Sequence, residues 1–61
     1  MKFKFNDLVK VKDEFYGEIT GVVKEVDIEK DYKGNKKYIY FVYFILDGEI
    51  INKRFPEDKL K

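Results

Sequence analysis

Sixty-one residues carrying thirteen basic and twelve acidic side chains give a net charge of +1. That balance lacks the basic excess of a charge-driven nucleic-acid binder, and a hydrophobic fraction of 44% is too high for a disordered polyelectrolyte. With no Ser, Cys or His in the chain, the usual nucleophile–base pairs, disulfides and Cys/His zinc sites are excluded.

A chain this short is one domain, residues 1–61, and buries only roughly 60% of its unfolded surface. No charged n-region followed by an apolar h-region marks a leader, and no apolar run is long enough to span a bilayer, so we expect a cytoplasmic protein away from membranes. Twelve of the thirteen basic residues are Lys, and Ile, Asn, Tyr and Phe are abundant, a usage that resembles coding from an AT-rich bacterial or phage genome.

In chain order, Met1-Lys2-Phe3-Lys4-Phe5 alternates apolar and basic residues and suits a short edge strand, or two rings packed beneath a sheet. Asn6-Asp7 reads as a turn. Residues 8–12 follow as a half-buried strand, with Val9 and Val11 on one face and Lys10 and Lys12 on the other. Residues 13–17 form a loop whose Phe15 and Tyr16 rings fold back onto the core. Residues 18–28 make the second strand. Its apolar parity changes between Val23 and Val26, which predicts a β-bulge near Lys24-Glu25. Gly21 is a packing glycine where the sheet coils tightly. The alternating charges of residues 27–37, with Gly34-Asn35 at the tip, predict a mobile hairpin loop.

The chain is organised around residues 38–46, an unbroken β-branched and aromatic run closed by Asp47-Gly48. The two-residue turn predicts a hairpin with Leu46 opposite Glu49, Phe44 opposite Ile51, Val42 opposite Lys53 and Tyr40 opposite Phe55. Those pairs form the core face. The other face pairs Ile45 with Ile50, Tyr43 with Asn52 and Phe41 with Arg54, and is too apolar for a surface with nothing against it. Pro56 ends the ladder, and a 3₁₀ turn through Lys59 delivers Leu60 to the open end of the core.

This pattern resembles an SH3-like barrel: all-β, five-stranded, with a short 3₁₀ turn near the C-terminus. Asn6-Asp7-Leu8-Val9-Lys10-Val11, then Gly17, then Gly21-Val22-Val23 to Val26 are similar to the KOW motif, with Asn6 where Gly is usual and one extra residue between Gly17 and Gly21. The likeness falls on fold positions, and it extends to Tudor-like barrels and to small uncharacterised bacterial and phage barrels. It implies a binding module whose ligand is RNA, DNA or protein.

Together these readings point to a non-catalytic module without cofactor, metal or small-molecule substrate. Its first candidate site is a protein or homodimer interface formed by Phe41, Tyr43, Ile45, Ile50 and Arg54. The alternative is a nucleic-acid surface of Lys30, Tyr32, Lys33, Lys36, Lys37 and Tyr38, where rings beside cations suit base stacking. A third reading is a phage or mobile-element accessory protein that binds a host factor.

Overall fold

The computed structural model describes residues 1–61. Strands β1 (Leu8–Asp13), β2 (Gly17–Lys30), β3 (Lys36–Leu46) and β4 (Glu49–Pro56) form one antiparallel sheet in sequence order, followed by a 3₁₀ turn at Glu57–Lys59. Period-2 alternation sends Val9, Val11, Ile19, Val23, Tyr40, Val42, Phe44 and Phe55 to one side, where with Leu60 they make the nine-residue core. The β3–β4 register is the one the Asp47-Gly48 turn dictates, from Leu46 opposite Glu49 to Tyr40 opposite Phe55. Both turn residues adopt positive φ, 51° at Asp47 and 79° at Gly48, as a tight hairpin of this twist requires.

The expected closed five-stranded barrel is not formed; the sheet has four strands and is open. Residues 1–5 add no strand, because the chain turns at once. Asp7 N–H donates to the Lys4 carbonyl, the Asp7 carboxylate accepts from Lys4 N–H, and Asn6 sits at φ 72°. At the other end, Leu60 makes a single antiparallel bridge to Val11, flanked by the reciprocal Lys10–Lys61 backbone hydrogen bonds. That contact seals the core's end but is one pair long.

Two irregularities shape β2. The register slips between Val23 and Glu25, so Lys24 is the bulged residue and Val26 returns to the core side opposite Tyr40. At Gly21 the backbone lies so close to β3 that a Cβ would meet Val42 Cγ1 at 2.5 Å and the Tyr43 carbonyl oxygen at 2.7 Å. No side chain fits between the two strands at that point.

Polar groups close the core where apolar ones end. Asp13 is buried, whereas its neighbour Glu14 is exposed. Its Oδ2 accepts from the N–H groups of Phe15 and Tyr16, and its Oδ1 pairs with Lys53 Nζ at 2.7 Å. The Lys53 bond, then the backbone donors, hold its carboxyl below the ordinary value. Tyr40 is fully buried, and its hydroxyl donates to Glu57 Oε2 and accepts from Phe3 N–H. Burial, then the Glu57 carboxylate, push the Tyr40 phenol up, and the same hydrogen bond draws Glu57 down. The chain has no helix long and apolar enough to cross a membrane.

Candidate protein interface

Because strand side chains alternate, the residues between the core positions share the opposite, outer face. One cross-strand row runs Leu8, Val22, Tyr43, Asn52 through all four strands. Two residues further along lie Lys10 and Thr20 on β1–β2, with Ile45 and Ile50 paired on β3–β4. On the other side of the Tyr43 row lie Glu25, Phe41 and Arg54.

Leu8, Ile45 and Ile50 are each more than 70% exposed, and Tyr43 is 40% exposed. Phe41 is half-buried beneath the Arg54 guanidinium, 5.3 Å from its ring centroid, a cation–π contact. The five residues singled out from the sequence thus do come together on one surface. Leu8 and Val22 extend that surface to β1. Their signal was parity, since Leu8 alternates with the inward Val9 and Val22 lies beside the inward Val23.

The N-terminal aromatics do not cover this face. Phe3 packs edge-on against Tyr40 from the core side, with centroids 5.6 Å apart. Phe5 stays 62% exposed with Lys24 Nζ above its ring. Of the loop rings, Tyr16 does fold back, 5.3 Å from Phe44, but Phe15 remains 80% exposed.

The second set of candidates lies on a two-stranded ribbon. β2 and β3 pair as far as Lys30–Lys36, so the long mobile loop expected over residues 27–37 is replaced by strand plus a short turn at 31–35. Asp31 organises that turn. Its Oδ1 accepts from Lys33 and Asn35 N–H, its Oδ2 from Asn35 Nδ2, and its carboxyl is held below the ordinary value, chiefly by the Asn35 N–H.

Register divides the ribbon's charges. Ile28, Lys30, Lys36 and Tyr38 share the core-side face, whereas Asp27, Glu29, Lys37 and Ile39 share the outer one. Tyr32 is 93% exposed with Lys33 Nζ 5.6 Å from its ring centroid. Five of the six candidates therefore gather along one side and the tip, and Lys37 lies apart beside Glu29. Half of the lining of an open groove of about 520 Å³ at the far end of β1–β2 is Lys10, Lys12, Lys59 and Lys61, with Glu18 its one acid.

No protein-family model matches the chain, and no curated protein or solved structure is significantly similar to it.

Proposed function

We propose that this chain is a non-catalytic binding module, recognising a protein through the outer face of its open antiparallel sheet. The observation that carries this reading is the contiguous row Leu8, Val22, Tyr43 with Ile45 and Ile50 beside it, mostly exposed. Exposed apolar groups in a contiguous patch, bounded by polar ones, are typical of interaction surfaces. Aromatics and Arg are the side chains enriched at such interfaces, and Tyr43, Phe41 and Arg54 supply them at the patch's edge. The absence of Ser, Cys and His from the sequence argues against an assembled catalytic centre.

A second reading, single-stranded nucleic acid on the ribbon, is favoured by one observation. The acids Asp27 and Glu29 face away from Lys30, Lys36 and Tyr38, and Asp31 is engaged by its own turn. That side of the ribbon offers cations and rings without interleaved carboxylates, as stacking platforms do.

Affinity capture from lysate of the source cells, with two variants beside the wild type, discriminates the readings. Ile45→Lys/Ile50→Glu disrupts the outer face, and Lys30→Glu/Lys36→Glu disrupts the ribbon. The protein reading predicts that bound protein is lost from the first variant and retained by the second. Loss only from the second, with nuclease-sensitive binding, overturns it in favour of nucleic acid.

A further inference from the structure

Resting on the outer-face reading, we infer that the protein partner docks an acidic segment in the lysine groove that adjoins the apolar patch. One ligand then carries apolar side chains for Leu8, Ile45 and Ile50 and carboxylates for the groove. Tertiary structure assembles this groove. Lys10 and Lys12 stand on the outer face of β1, and the Val11–Leu60 bridge, with its Lys10–Lys61 backbone hydrogen bonds, brings Lys59 and Lys61 alongside. All four side chains are exposed.

The charge gathered there is not spent within the molecule. The lysine Nζ hydrogen bonds are those of Lys24 and Lys53, and the one ion pair is Lys53–Asp13, so none of the four groove ammonium groups has a partner. Glu18, opposite Lys12 on β2, is the one acid in the lining. Four lysines less one glutamate leave a side-chain charge of +3 in the groove, against +1 for the whole chain. The acids beside these lysines in sequence, Asp13, Glu14 and Asp58, do not line it, and Asp13 is bound to Lys53. Unpaired charge of one sign in a concavity attracts an anionic ligand and speeds its arrival.

Three features point to protein carboxylates as that ligand. Groove and patch are continuous, because Lys10 follows Leu8 on one face of β1, and Lys10 and Thr20 lie level with Ile45 and Ile50. Lys10 and Lys12, two residues apart on one strand, are separated by about 6.6–6.8 Å, the spacing of alternate side chains on an extended peptide. The lining holds neither an aromatic ring nor an Arg, the stacking surface and planar fork that favour nucleic acid. Charges placed at the margin of an apolar contact fix its register and exclude wrong partners.

Fluorescence anisotropy with a short labelled peptide, leucine-rich at one end and glutamate-rich at the other, tests the inference. Its controls are the same peptide with Gln for Glu and a single-stranded DNA of equal charge. The glutamate peptide is expected to bind, and to bind more weakly as salt rises. Lys10→Glu/Lys12→Glu turns the lining from +3 to −1. That variant and Lys59→Glu/Lys61→Glu are each expected to weaken the peptide by about fivefold or more, with Lys30→Glu/Lys36→Glu unchanged. Equal binding of the two peptides, abolished by Ile45→Lys/Ile50→Glu, overturns the acidic segment and keeps the outer-face reading. Glutamate-peptide binding that ignores Ile45→Lys/Ile50→Glu overturns the outer-face reading and the joint docking with it. No binding of either peptide overturns the inference, as does DNA bound through the groove at least as tightly as the peptide.

Discussion

Asp13, the last residue of β1, and Lys53, in the middle of β4, lie forty positions apart in the chain and at opposite edges of the sheet, yet their side chains meet at 2.7 Å. The backbone leaves the sheet open, and this pair draws its two edge strands toward one another across the end of the core. Lys53 Nζ also lies 5.6 Å from the Tyr16 ring centroid and 5.7 Å from that of Phe55, so its charge is held among aromatic faces as well as by the carboxylate.

Acid stability should report this link. Asp13 has a folded pKa lowered from 3.8, chiefly by the Lys53 bond. Its contribution is therefore fully present above that value and lost as pH falls toward the folded pKa. Urea unfolding across the acid range is expected to show a shallower loss in Asp13→Asn than in the wild type. Glu57 and Asp31, also lowered, leave a residual slope. Parallel pH profiles would show that the Asp13–Lys53 contact is energetically idle.

Tyr40 sets the alkaline limit in the opposite sense. Burial raises its pKa above 10.0, so its contribution is complete below that value and lost as pH rises through the folded pKa. Tyr40→Phe is expected to cost about 1 kcal/mol at neutral pH, the net value of a typical intramolecular hydrogen bond, and to flatten the stability profile above pH 10. Thermal unfolding at neutral and alkaline pH measures both.

Gly21 should tolerate no side chain. A Cβ there lies 2.5 Å from Val42 Cγ1 and 2.7 Å from a β3 carbonyl oxygen, and the backbone contact cannot be relieved by a rotamer change. Gly21→Ala is expected to destabilise by about 1–3 kcal/mol, the usual cost of overpacking. A change under about 0.5 kcal/mol, the scale of ordinary surface substitutions, would contradict the close approach of β2 and β3.

The outer face should behave differently from the core beneath it. Ile45 and Ile50 form a directly opposed pair, each more than 70% exposed. Ile45→Lys/Ile50→Glu keeps a favourable cross-strand pair and is expected to change unfolding free energy by no more than about 1 kcal/mol. Far-ultraviolet circular dichroism with urea titration checks this, and a large loss would mean the two isoleucines serve folding rather than recognition.

Much of this fold was legible because alternation and turn chemistry are local. Val9 and Val11, the parity change at Lys24-Glu25 and the Asp47-Gly48 turn specify β1, the bulge and the β3–β4 register from neighbouring residues alone. Closure was not legible, because it depends on whether residues 1–5 and 60–61 find ladder partners, and a turn centred on Phe5-Asn6, one residue earlier than the sequence suggests, decides the first of these. The Asp13–Lys53 pair was missed although parity marks both members: Asp13 alternates with Val9 and Val11, and Lys53 with Ile51 and Phe55. Recognising an inward acid and an inward base as partners needs the curl of the sheet, which no local pattern carries. The outer-face candidates were readable for the same reason as the core, since fixing one face of a hairpin fixes the other. The ribbon was misread as a loop because its alternating charges look solvated, whereas pairing to Lys30–Lys36 sorts them onto separate faces.

The most direct measurement is photo-crosslinking from position 45, with a benzophenone side chain replacing the exposed isoleucine and a second protein bearing it at position 33 on the ribbon turn. The wild-type background is expected to yield a discrete protein adduct from position 45, lost when the rest of the patch is disrupted by Ile50→Glu/Tyr43→Glu. Adducts from position 33 alone, or none from position 45 under conditions where position 33 reacts, would contradict the outer face as the binding surface.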